Sequence, residues 1–503
     1  MQITPLRYAP DEDTAWLANK GACSWLNGFA PMNRGTYGTV GTAAWVGSSG
    51  GISGGDVLHA QLFRKVAGTV RLLVFRDQNI DEYDNAASRT NQGSGYSAST
   101  TDWTAASWGD QVIATNYYDA PQSSTGSSFS ALSGSPPKAR LVAANELHVM
   151  LADYDDGVNQ YADGYASSAL MNPTSWTAST ANQSARNRLY SPPGPIRALV
   201  PWKNKSFVAF KDNSVHLIEY VGGDLVFTAR TLSYSIGCHS AHGVVQLGEV
   251  LYFYHSSGFW SWDGSNFVDV GRSVINKFNQ YVGYTPYQDT YLPMTSYSGP
   301  AKVQAVSDEI ENMVVFCTTA FASTLLHQWS FALNTMTDKW GRWMEHSGAV
   351  ANDIRYVVGS TADAQAFKAS SPARLPYIYV GASSASAKYF GYPLAISALY
   401  AQYTQPYIET GMIGDYDVAR TVNGVYVRDL ANNQSFGIEV DGLSAENWTQ
   451  IGAAAGAWNA ELARFDLRVP GKFHQITITP TNSTACEIGG IGLQYAEKEP
   501  SKR

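Results

Sequence analysis

Charge is scarce in this chain. Only 15% of its 503 residues are Asp, Glu, Lys or Arg, and the balance is acidic, at −8. An average globular protein carries ~25% charged residues. A protein held to nucleic acid by electrostatics needs a basic face, and this composition excludes that class. It remains compatible with DNA that slides past without sticking. Long apolar runs are missing too: none approaches the ~20 residues of a membrane helix, so no membrane segment is expected. The opening MQITPLRYAPDEDTAWL has no charged-then-apolar export pattern, which points to assembly in a cytoplasm. Cysteine is rare. Cys23, Cys238, Cys317 and Cys486 lie far apart with no C-x-x-C pair, and they read as reduced, buried, small apolar side chains. Phosphate-binding, dinucleotide, zincin and hydrolase-elbow motifs do not occur, so no cofactor and no enzymatic activity are expected.

What is abundant is glycine and aromatic residues: 45 Gly, 14 Trp, 30 Tyr and 19 Phe. Aromatic side chains suit pleated, half-buried surfaces and glycine suits turns, so the composition predicts an all-β protein. Three stretches share one template: Arg71–Tyr83, Ser206–Tyr220 and Val250–Gly264. Each is an apolar strand, a short polar turn and a second strand with an aromatic near its end, which is a β-hairpin. Weaker copies start near Val112, Leu147, Met313 and Tyr356. The spacing is irregular, roughly 35 to 60 residues, within the range of propeller blades. The expectation is a β-propeller of about six to eight irregular blades over residues 36–405; two or three ordinary β-sandwiches are the alternative. In the third hairpin, alternation puts Trp260 and Trp262 on one strand face and Phe259 on the other, which suits packing between blades.

Three segments rich in small polar residues, Gly93–Thr101, Ser123–Ser135 and Thr177–Asn187, are expected as surface loops. Residues 1–35 read as an N-terminal segment with a short helix, capped near Asp13-Thr14 and continuing through Ala22 and Leu26. From about Tyr407 the texture changes. Val422–Val427, Phe436–Val440, Phe465–Val469 and the strictly alternating Gln475–Thr479 predict an appended β-sandwich-like domain over residues 406–503.

Candidate sites are few. Cys238, His239 and His242 are too close together to complete a metal tetrahedron without a distant fourth ligand. Asp153, Asp155 and Asp156 precede a glycine as in a calcium loop, but the rest of that motif is missing. Asp81, Glu82 and Asp84 form a similar acidic group. Both groups are read as solvated turns or as acidic turns lining a channel. No metal is expected. Carboxylates are plentiful enough for a propeller glycoside hydrolase, yet spacing alone pairs none of them.

Four stretches resemble, in order, a family of tailed-bacteriophage virion proteins. They are Trp108–Gln122; Met171–Thr177; the run from Val221-Gly-Gly through Ile236-Gly-Cys238, Val244–Gly248 and Gly258–Gly264 to Ile275–Phe278; and Val469–His474 with Gly489-Gly490. The likeness is to the tail-nozzle or packaged-DNA-stabilisation proteins of short-tailed phages, which are built on β-propellers. It implies a virion protein of the tail, a homo-oligomer of six copies stacked below the portal and its adaptor. Fibres or spikes would dock outside, and double-stranded DNA would pass through the central channel without sequence-specific binding. The family supplies no catalytic residues. The alternative from the same features is a receptor- or carbohydrate-contacting tail or fibre-network protein.

Overall fold

The computed structural model describes residues 5–10, 22–39, 43–46, 57–84, 88–97, 103–282, 303–319, 327–344, 354–359, 361–367, 377–381, 390–393, 407–410, 413–414, 420–429, 436–440, 443–444, 447–451, 462–471, 473–480 and 487–495. Among them, seven antiparallel four-stranded blades follow one another along the chain. Blade 1 runs from Val57 to Ser94, blade 2 from Thr104 to Ala131 and blade 3 from Lys138 to Arg188. Blade 4 runs from Ile196 to Ser233, blade 5 from Val244 to Asp269 and blade 6 from Val303 to Met344. Blade 7 takes three strands from Ile354 to Pro393 and its fourth from the other end of the chain. There Ala43–Val46 pairs antiparallel with Phe390–Pro393. The first strands of neighbouring blades pack together around an axis, including blade 7 on blade 1, blades 4 and 5 join through their shared apolar core, and the β-propeller is a closed ring.

Strand alternation explains why the ring holds. Each blade is apolar on both faces, and each face packs on a different neighbour. In Val70–Arg76, Leu72 and Val74 enter the core toward blade 7, while Leu73 and Phe75 enter the core toward blade 2. In Ser206–Lys211, Phe207 and Ala209 face blade 3, and Val208 and Phe210 face blade 5. In Val250–His255, Leu251 and Phe253 face blade 4, and Tyr252 and Tyr254 face blade 6. A sheet with two apolar faces has no stable existence alone; ring closure buries both and leaves only short edges.

The expected hairpins are the second and third strands of blades 1, 4 and 5. Val112, Leu147 and Met313 mark second strands in blades 2, 3 and 6, whereas Tyr356 lies in the first strand of blade 7. Asx turns recur between strands. Asn145, Asp156, Asp263, Asp308 and Asn334 each accept the backbone N–H groups two and three residues on. The polar Ser123–Ser135 segment is not all loop, since Gln122–Ser124 and Ser130–Ala131 are the outer strands of blade 2.

The C-terminal strands form two sheets, but not by themselves. Arg7–Tyr8 and Ala22–Asn27 join Tyr407–Thr410, Ile476–Pro480 and Phe436–Val440 in one sheet. Phe29–Pro31 and Tyr37–Thr39 join Glu487–Tyr495, Arg420–Asp429 and Leu462–Gly471 in the other. That second sheet runs on into the outer strand of blade 6 through the pair Arg342–Phe29, making ten strands in all. The helix expected through Ala22 and Leu26 is therefore a strand at those residues, and residues 11–21 lie outside the described ones. Tertiary pairing overrides a weak helical preference here. One continuous apolar core carries Leu26 and Tyr37, Phe316 and Trp340 of blade 6, and Ile476, Ile478 and Ile488. The sandwich thus shares its interior with the propeller.

Candidate functional site

The acidic residues singled out from sequence divide into two kinds. Asp81 and Glu82 lie within the third strand of blade 1, Asn79–Tyr83, and are buried. Asp81 ion-pairs with Arg76 at 3.2 Å and Arg89 at 3.0 Å. Glu82 pairs with Arg71 and accepts from the Gln92 amide at 2.9 Å. A buried carboxylate persists only with such partners. These two are corrected accordingly: they are neither a solvated turn nor a channel lining, because their charge is spent on bracing the outer half of blade 1. Asp84 is exposed at the strand end, where its carboxylate accepts the Ser88 N–H at 2.8 Å.

Asp153 is also buried, paired to Arg140 at 2.9 Å, with a left-handed backbone (φ 49°) at a bulge. Burial pushes its carboxyl up to about 6 in spite of the arginine. Asp155 and Asp156 cap the exposed turn at Gly157–Asn159. The backbone N–H groups of Asn159 and Val158 hold Asp156 below the usual carboxylate range. The structure therefore splits each trio, and neither converges on one point. No group of three metal-ligating side chains comes together among the described residues.

Histidine does the converging, and only the 239/242 pair was noticed from sequence. His239 lies 3.1 Å from the Asp212 carboxylate and stacks on His255 at 5.0 Å. Burial alone would raise Asp212, but hydrogen bonds from His239 and Arg197 outweigh it and hold the carboxyl low. Cys238 is buried, and its thiol donates to the Ser240 carbonyl. The second cluster lies at the propeller axis. His242, just before the first strand of blade 5, stacks on His59 of blade 1 at 4.7 Å and 12°. His59 Nδ1 hydrogen-bonds the Tyr356 hydroxyl of blade 7 at 2.8 Å. His242 Nε2 meets the Trp103 carbonyl ahead of blade 2 at 3.1 Å, and its own carbonyl accepts from Ala305 of blade 6. Five blades thus meet around one histidine, through its ring and its backbone carbonyl, and the axis is bridged at this level. Burial and the neighbouring His242 hold His59 well below its ordinary pKa, so His59 is uncharged at neutral pH.

Trp260 and Trp262 share a face as alternation requires. Both pack in the core between blades 4 and 5, with Trp262 fully buried, while Phe259 enters the core toward blade 6.

No family model matches the chain, and no curated protein matches it. Solved structures similar to it include YCF48 bound to D1 peptide, at 10% identity and TM-score 0.40, covering 73% of this chain and 98% of that one. YCF48 from Cyanidioschyzon merolae is 11% identical with TM-score 0.40, covering 70% and 98%. A chain of the Mitotic Checkpoint Complex is 8% identical with TM-score 0.39, covering 67% and 88%. At these values the likenesses carry nothing about function.

Proposed function

We propose that this chain is a structural protein of a bacteriophage tail, one copy of a ring below the portal and adaptor through which packaged DNA is retained and then released. The observation that carries the reading is the four-part resemblance, whose stretches fall on framework features. Trp108–Gln122 spans the second strand of blade 2 and the Asn116 turn. Met171–Thr177 buries Trp176, whose indole donates to the Pro173 carbonyl at 2.8 Å. Val221–Phe278 links blade 4 to blade 5 and ends in the helix Ile275–Val282. Val469–His474 lies in the sandwich. The single core shared by propeller and sandwich supports a rigid building block. With the propeller axis bridged by His59, His242 and Tyr356, the DNA path in this reading runs between copies. Six copies carry six times the −8 of one chain, which favours sliding over sticking.

Light scattering of the purified chain, alone and with an adaptor ring, tests the assembly, and electron microscopy of virions labelled on this chain tests the position. The expected result is a ring on the adaptor and label at the tail. Absence of the chain from virions, or label on the capsid shell, overturns the reading. Tight, salt-sensitive binding of duplex DNA by the free chain overturns the sliding path.

A further inference from the structure

Blade 3 ends in a strand of three residues, Arg186–Arg188. Alternation places Arg186 and Arg188 on one face and Asn187 on the other. Arg188 is locked. Its Nε and Nη2 donate to the two oxygens of Asp163 at 2.7 and 3.1 Å. The same guanidinium lies 5.5 Å from the Tyr161 ring and 4.7 Å from the Tyr190 ring. Tyr190 is 69% exposed and lies against a cation held by a two-point ion pair. Such a ring is a platform, an aromatic face kept in water by a rigid backing. Arg186 is exposed two residues along the same face. It is within electrostatic reach of Tyr154 and Asp156, but forms no ion pair among the described residues. These groups border a groove of about 560 Å³ whose far wall is blade 4, within the ~300–1,000 Å³ of small-molecule sites.

A pyranose has two kinds of surface, an apolar C–H face and a rim of hydroxyls. The Tyr190 face suits the first. The Asp163–Arg188 pair suits the second. The unpaired guanidinium of Arg186 suits a carboxylate, which arginine takes through two parallel hydrogen bonds. Addition of a peptide strand is disfavoured, because this edge is three residues long and carries two arginines.

We propose that the groove between blades 3 and 4 binds acidic saccharides, with a carboxylated pyranose stacked on Tyr190 and its carboxylate on Arg186. The inference is independent of the tail reading. Calorimetric titration of the full chain with tetragalacturonate and with sialyllactose, against maltotetraose as neutral control, tests it. At least one acidic sugar is expected to bind tenfold or more tightly than maltotetraose. Arg186→Ala and Tyr190→Ala, both at exposed positions, are each expected to weaken that binding tenfold or more with the melting temperature unchanged. Arg186→Lys keeps the charge without the fork and is expected to fall between. Binding of neither acidic sugar, equal binding of maltotetraose, or binding undiminished in both alanine variants overturns the proposal.

Discussion

Ionised side chains in this protein are few, and several of them are interior braces. Asp81 is the clearest case: it is fully buried and contacts Arg76, also fully buried, as well as Arg89. Removing one partner of such a pair leaves a charge without compensation, typically at about 3–5 kcal/mol. Asp81→Ala is therefore expected to lower the free energy of unfolding by about that amount, with Asp81→Asn costing less; urea unfolding of the two variants measures both. A loss below that of an exposed control such as Asp84→Ala would show that the buried pair contributes nothing. In sequence, Asp81-Glu82-Tyr83-Asp84 looks like a turn because three of four residues are acidic. The signal that identifies a strand was present but distributed, since the arginines that neutralise it stand at 71, 76 and 89 on the two adjacent strands. The groove at Arg186 was hidden for a related reason: Arg186 lies in what reads as a small-residue loop, and its place beside Arg188 exists only once the edge strand pairs with Gly164–Ala166.

At the scale of the element, blades were legible wherever both faces of a strand are apolar and a polar turn follows. Such runs need no distant information to be recognised as strands. Outer strands such as Ser130–Ala131 were not legible, because they are exposed and gain their order from a neighbour rather than from their own composition. The connection from blade 4 to blade 5 shows how closely these units fit. Gly237 crosses the turn of the 206–220 hairpin so tightly that a Cβ there would stand 2.0 Å from the Lys211 carbonyl oxygen and 2.7 Å from that of Asp212. The adjacent Cys238 N–H donates to the same Lys211 carbonyl at 3.0 Å. A methyl group cannot be fitted without separating the segment from the hairpin. Gly237→Ala is expected to destabilise by at least the ~1–3 kcal/mol of an overpacked interior, read as a fall in the urea midpoint. An unchanged midpoint would mean that the connection has room to yield. Gly68, with open space around its Cβ position but a left-handed backbone at φ 93°, separates the two costs, since Gly68→Ala adds backbone strain without crowding.

For the molecule as a whole, buried histidine sets the response to acid. His148, His216 and His255 are each pushed down to about 4 by burial, and His59 lies well below its ordinary value. The unfolded chain binds these protons near pH 6.5, whereas the folded chain does not until about pH 4. Stability contributed by neutral histidines is complete above pH 6.5 and is lost as pH falls toward 4. Asp153, raised to about 6, works in the opposite sense and returns part of that loss over the same interval. Melting temperature is expected to drop between pH 7 and pH 4.5, and His216→Gln to flatten the drop; a parent curve flat over that range would contradict it. Closure of the molecule was the least legible feature of all. Nothing local in Ala43–Val46 or Ala22–Asn27 reveals that their partners lie some 345 to 390 residues away. That separation has a consequence in time. A ribosome adding ~5–20 residues per second delivers blade 1 long before it delivers the strands that seal blade 7 and complete the sandwich. The strands Ala22–Asn27 and Ala43–Val46 wait about 20–80 seconds for those partners at that pace, so translation speed and chaperone access, as much as equilibrium stability, govern how much of this protein reaches its native form.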